Sequence, residues 1–92
     1  MITPYTVLKH ELIGLQAKVD SSRDPTLLGL EGEIVDETRN TLTLETRGGR
    51  KMIPKDVVSL KIALPSGQTV RVKGDLLVGR PEERIKQHRR VW

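Results

Sequence analysis

Cysteine and phenylalanine are both missing from these 92 residues, and the aromatics are limited to Tyr5 and Trp92, one near each end. Without cysteine there is neither a disulfide nor a thiolate metal site, which fits a reducing compartment. With so few rings, a packed interior has to be built from Leu, Ile and Val. A surface that binds nucleic acid chiefly by stacking bases on aromatic side chains is excluded for the same reason. No apolar run approaches the roughly 18 residues of a membrane span. The N-terminus also lacks the charged-then-apolar layout of a signal peptide. These absences predict a cytoplasmic protein with no membrane contact and a modest aliphatic core in one domain, residues 1–92.

What the chain has in quantity is charge. Sixteen Lys and Arg face twelve Asp and Glu, a net +4. The location matters more than the size. Arg80 to Trp92 holds five basic and two acidic residues, so the tail carries +3 and the rest only +1. A nearly neutral body with a basic tail points to a polyanion, most simply nucleic acid.

The pattern is clearest in LGLEGEIVDETRNTLTLET, Leu28 to Thr46. Leu28, Leu30, Gly32 and Ile34 alternate with Gly29, Glu31 and Glu33, and Leu42 and Leu44 alternate with Thr41, Thr43 and Glu45. Two alternating runs around a short polar link predict a β-hairpin. Placing Ile34 opposite Leu44 puts Glu37 opposite Thr41 and leaves Thr38, Arg39 and Asn40 as the loop. In such a loop Asn40 is expected in the left-handed region. The same register sets Glu33 against Glu45 outside, with Arg47 opposite Glu31. That acidic face invites a basic partner.

Before the hairpin, residues 3–14 read as a short helix, with Thr3 as cap, Pro4 in the first turn and Gly14 past the end. Tyr5, Leu8 and Leu12 form its apolar stripe. A strand follows from Leu15 to Val19, then a loop at Ser21 to Thr26. After the hairpin come the Arg47-Gly48-Gly49-Arg50 turn, a short strand stopped by Pro54, and strands at Val57–Leu64, Thr69–Lys73 and Leu76–Val78. Six or seven short strands in so small a chain predict an all-β fold, a closed or nearly closed antiparallel barrel over residues 15–79. Residues 80–92 read as a polar helix or tail whose acids and bases match its dipole.

No set of residues looks like a protein active site. His10 and His88 lie at opposite ends without metal-ligand companions, and Asp36 and Glu37 are strand neighbours that point to opposite faces. Ser21-Ser22 lacks an activating base, and neither Gly29-x-x-Gly32 nor Gly48-Gly49 sits in a phosphate-binding context. The basic residues carry the signal instead. Candidate RNA contacts are Arg39, Arg47, Arg50, Lys51, Lys55, Arg71 and Lys73 in the body, and Arg80, Arg84, Lys86, Arg89 and Arg90 in the tail. Such cations grip phosphate and sugar, which position a structured RNA without reading its sequence. The candidates for a protein partner are Glu31, Glu33 and Glu45, with apolar contacts from Tyr5, Leu8, Leu12 and Ile85.

The run Gly74-Asp75-Leu76-Leu77-Val78-Gly79-Arg80-Pro81-Glu82-Glu83-Arg84 resembles the signature end of the archaeal ribonuclease P protein component 1 family. Leu12-Ile13-Gly14-Leu15, Gly29-x-x-Gly32-x-Ile34-Val35-x-Glu37-Thr38 and Ile53-Pro54-Lys55 agree with it in the same order. The resemblance implies an Sm-like six-stranded barrel with helical ends. It also implies a non-catalytic subunit of the ribonucleoprotein that removes the 5′ leader of precursor tRNA. Its partners would be the catalytic RNA, precursor tRNA indirectly, and a small zinc-ribbon subunit. The chain itself would bind no cofactor, since the chemistry belongs to RNA and Mg²⁺, and would be monomeric when isolated. A competing expectation is an Sm-like RNA chaperone in a homo-oligomeric ring, although the usual strand ending in Arg-Gly is absent. A protein-only nuclease would need a carboxylate or histidine cluster that the sequence does not offer.

Overall fold

The computed structural model describes residues 12–79, and the expected helices at 3–14 and 80–92 fall largely outside them. Six strands form one antiparallel sheet: β1 Gln16–Ser22, β2 Glu31–Glu37, β3 Thr41–Thr46, β4 Gly49–Pro54, β5 Val58–Ala63 and β6 Thr69–Lys73. Their spatial order is β4-β3-β2-β1-β5-β6. Alternation does what the sequence promised, since Ala17, Val19, Ile34, Leu42, Leu44, Ile53, Leu60, Ile62 and Val72 all lie on one buried face. A flat sheet would leave that face wet. Here the sheet curls around it, so the six strands share one aliphatic core in a small Sm-like barrel. Full burial of each such side chain contributes roughly 1.5–3 kcal/mol.

Curling depends on close backbone approaches. A β-carbon on Gly32 would run into the carbonyl of Glu45 on the neighbouring strand. At the end of the barrel, the turn Gly74–Leu77 crosses the turn Lys55–Val57, and a β-carbon on Gly74 would meet the carbonyls of Lys55 and Val58. Gly74–Leu77 is a 3-10 turn where a seventh strand was expected. The turn separates two adjacent leucines, sending Leu77 fully into the core and leaving Leu76 44% exposed.

The expected start of the hairpin also shifts. Leu28 is 58% exposed and β2 begins only at Glu31. Asp24 caps the 3-10 turn Pro25–Leu27 by accepting hydrogen bonds from the Thr26 hydroxyl (2.7 Å) and amide (3.0 Å). The hydroxyl first, then the amide, hold the Asp24 carboxyl below its ordinary range. The chain then turns again at Leu28 and Gly29, with Gly29 at φ 85°, so the residues that alternation alone assigned to the start of the strand are spent on the turn that follows.

Within the hairpin, Ile34 does oppose Leu44, and Glu33 opposes Glu45. Beyond Ile34 the register shifts by a β-bulge, so Asp36 opposes Thr43 and Glu37 opposes Leu42, not Thr41. A one-residue shift exchanges the faces, and it turns Glu37 inward. Asn40 is not left-handed, for no described residue other than glycine has positive φ. Thr38 and Thr41 tie the loop instead, through their hydroxyls at 2.6 Å and a Thr38 N–H donated to the Thr41 carbonyl at 3.0 Å.

Candidate nucleic-acid interface

The outward residues of each strand fall into rows, and the strand register fixes which charges are neighbours. On one wall, Lys18 opposes Lys61, and Lys61 opposes Arg71, so β1, β5 and β6 present three cations side by side. Strands lie about 4.8 Å apart, and like charges directly opposite each other destabilise a sheet. Two carboxylates offset part of this, with Glu31 on β2 standing opposite Lys18. Asp20 reaches Arg71 Nε at 2.6 Å and Lys61 Nζ at 3.6 Å. Three cations against two carboxylates leave an exposed patch of net +1.

The opposite sign gathers on β2 and β3. Glu31 and Glu33 are exposed on β2, and Glu45 stands beside Glu33 on β3. Arg47 does not pair with Glu31, because β3 ends at Thr46 and Glu31 opposes Lys18. The relief comes from β4, where Arg50 Nε donates to Glu45 Oε2 at 2.9 Å. The sheet therefore sorts its surface by charge, with cations on the β1-β5-β6 wall and carboxylates on the β2-β3 wall.

This sorting re-ranks the RNA candidates. Arg71 lies in the cation row, and Lys73 lies two residues along the same strand face. Arg50 is occupied by Glu45. Arg47 and Lys51 share a cleft of about 430 Å³ with Glu31 and Glu45, among the acids. Arg39 is exposed on the β2-β3 loop. Arg80, Arg84, Lys86, Arg89, Arg90, Tyr5, Leu8 and Ile85 lie outside the described residues. Leu12 is a core residue with no exposure, which removes it from a partner surface.

Lys55 is a correction. It was expected to touch RNA, yet it is fully buried. Its ammonium donates to Glu37 Oε2 (2.7 Å) and to the carbonyls of Thr38 (2.8 Å), Gly79 (3.0 Å) and Arg39 (3.3 Å). The bulge that turned Glu37 inward supplied the counter-charge, and the 3-10 turn after Pro54 swung the lysine in to meet it. Lys55 is a structural clamp.

Sequence reasoning missed Lys18 and Lys61. Alternation put both on the outer face, but only the pairing of β1 with β5 shows that they adjoin. Among the described residues, no three His, Asp or Glu side chains come together as metal ligands. No described helix is long and apolar enough to cross a membrane.

A small Sm-like barrel with one cationic and one acidic wall belongs to a class of small β-barrel proteins whose surface has two separate charged sides. Comparison with known proteins makes this specific. The profile of the family "Ribonuclease P/MRP, subunit p29" matches residues 5–87, and the chain belongs to that family. Ribonuclease P protein component 1 of Methanocaldococcus jannaschii is 48% identical over 88 residues, spanning 95% of this chain and 92% of its own. Its counterpart in Thermofilum pendens is 48% identical over 92 residues, spanning 99% and 98%. A solved structure described as Mth11, a homologue of human RNase P protein Rpp29, superposes with a TM-score of 0.60. It has 43% sequence identity, and the match covers 83% of this chain and 99% of that one.

Proposed function

We propose that this chain, a protein subunit of ribonuclease P by family, works as a two-sided adaptor. The cationic β1-β5-β6 wall, with the basic tail, meets the catalytic RNA. The acidic β2-β3 wall meets a basic protein partner, for which the small zinc-ribbon subunit implied by the family resemblance is the candidate. The observation that carries this reading is the charge sorting fixed by strand register. Phosphates gain from the Lys18-Lys61-Arg71 row. Beside Glu33 and Glu45 they would meet repulsion within the ~8 Å screening length of physiological salt. The chain contributes no reacting group. Cleavage of the precursor tRNA leader falls to RNA and Mg²⁺, and the subunit orders that RNA as a monomer within the particle.

Two sets of variants separate the roles. Lys18→Ala with Lys61→Ala and Arg71→Ala should weaken RNA binding about 10- to 100-fold and lower the salt slope by about 2 to 3, because each lost phosphate contact removes ~0.7–0.9. Protein pairing should be spared. Glu33→Lys turns a like-charge pair into an opposite one, raising stability by roughly 0.2–1 kcal/mol, and should weaken protein pairing while RNA affinity holds or rises. If the triple alanine variant kept full RNA affinity and slope, the assignment of walls would be wrong. A further expectation is that the purified chain with Mg²⁺ alone leaves precursor tRNA uncut. Cleavage by RNA-free protein that persisted through purification would refute a non-catalytic role.

A further inference from the structure

Next to the cation row, β1 carries a second bulge. Val19 opposes Leu60 and Ser21 opposes Ser59, so Asp20 is the extra residue. Without it, Ser21 would share the inward face of Ala17 and Val19. With it, Ser21 turns outward and joins Ser59 and Lys73 in one cross-sheet row, since Ser59 opposes Lys73. Bulges of this kind re-aim side chains beside functional surfaces.

The row forms the floor of an open cleft of about 320 Å³, whose lining includes Ser21, Ser59, Lys73, Arg23, Asp56 and Asp75. Arg23 is fixed there, its guanidinium Nη2 donating to the Asp56 carbonyl at 2.9 Å. Among the described residues, the hydroxyls of Ser21 and Ser59 and the ammonium of Lys73 have no protein partner. Two cations and two carboxylates make the cleft neutral. That does not suit an isolated phosphate. Hydroxyls with both donors and acceptors around them suit a neutral polyol.

We infer that this cleft seats a ribose of the bound RNA and engages its 2′-hydroxyl, while the adjoining Lys18-Lys61-Arg71 row holds the neighbouring phosphates. The inference rests on the proposed RNA-facing role of this wall. Along β5 and β6 the two rows are two residues apart, about 7 Å, comparable with one nucleotide repeat. The 2′-hydroxyl both donates and accepts, and it is the group by which a protein separates RNA from DNA. A deoxyribose here would leave the serine hydroxyls without that partner.

The test compares the intact chain with its Ser21→Ala/Ser59→Ala variant. The probes are ribonuclease P RNA and an RNA duplex paired with a DNA duplex of the same sequence, each across a salt series. The variant should bind both RNAs about five- to tenfold more weakly, as expected for lost hydrogen bonds. Its DNA affinity, RNA salt slope and melting temperature should be unchanged, so the RNA-over-DNA ratio collapses. Ser59→Thr, which keeps a hydroxyl, should retain most of that ratio. Equal losses for RNA and DNA, or no loss for either, overturn the ribose cleft. If wild-type chain binds no RNA at all, the cationic-wall reading falls with it. If the cation row matters and the serines do not, only the cleft falls.

Discussion

Lys55→Met is expected to lower stability by about 3–5 kcal/mol, the cost of removing one member of a buried ion pair. In a chain of this size that corresponds to a drop in melting temperature on the order of 20 °C. The substitution conserves length and apolar volume, so packing changes little. What is lost is the ammonium shared by the Glu37 carboxylate, whose side chain is 2% exposed, and by the carbonyls of Thr38, Arg39 and Gly79. Those carbonyls come from the β2-β3 loop and from the chain just beyond the Gly74–Leu77 turn. The clamp therefore joins segments that no strand ladder connects. Protection from hydrogen exchange should fail first at the Lys55 amide, donated to the Asn40 carbonyl at 2.8 Å, and at the Gly79 amide, donated to Arg39 at 2.7 Å. Arg50→Met is the control. That pair is 72% and 50% exposed and should contribute no more than about 1 kcal/mol. Equal losses in the two variants would show that burial does not set the strength of the Lys55 clamp.

Gly32→Ala should be nearly as damaging, with an expected cost of about 3 kcal/mol from overpacking. The added methyl group meets the backbone of Glu45, and no side chain there can swing aside. β2 and β3 would have to separate just where Glu33 and Glu45 pair, which loosens the bend that closes the barrel. Gly48→Ala tests whether any glycine in the hairpin region is equally sensitive. Its nearest neighbours stand at 3.9 and 4.0 Å, so a change within about 0.5 kcal/mol is expected. Chemical denaturation of both variants measures the difference. A Gly32→Ala protein as stable as Gly48→Ala would mean that the sheet accommodates the bend without a close approach.

Both predictions concern residues whose roles were hidden in the sequence. Lys55 sits in Ile53-Pro54-Lys55, among cations flanking a glycine turn, and looks there like any solvated lysine. Gly32 sits at an inward position of an alternating strand, where a missing side chain reads only as a gap in the apolar face. Burial of the first and crowding of the second come from chain segments distant in sequence.

Local chemistry, by contrast, was legible. Period-two alternation identified the inward faces of β1 to Val19, β2 to Ile34, β3, β5 and β6, because a buried face needs an apolar residue at every second position whatever its neighbours do. The pairing of Ile34 with Leu44 followed from that rule alone, and so did the Glu33-Glu45 clash. The aliphatic core followed from the scarcity of aromatics. The ordered motifs from Leu12-Ile13-Gly14-Leu15 to Gly74-Asp75-Leu76-Leu77 pointed to the family that the chain proved to join.

What the tertiary structure decided is where alternation breaks and which strands become neighbours. The bulge after Ile34 reversed Glu37, the bulge at Asp20 reversed Ser21, and a turn replaced the strand expected at Leu76. Each exception trades a local hydrogen-bond pattern for burial or pairing elsewhere, and a one-dimensional pattern holds no record of that exchange. The cation row has the same origin. Lys18 is far along the chain from Lys61 and Arg71, and only the antiparallel pairing of β1 with β5 and β5 with β6 sets each of Lys18 and Arg71 one strand spacing from Lys61.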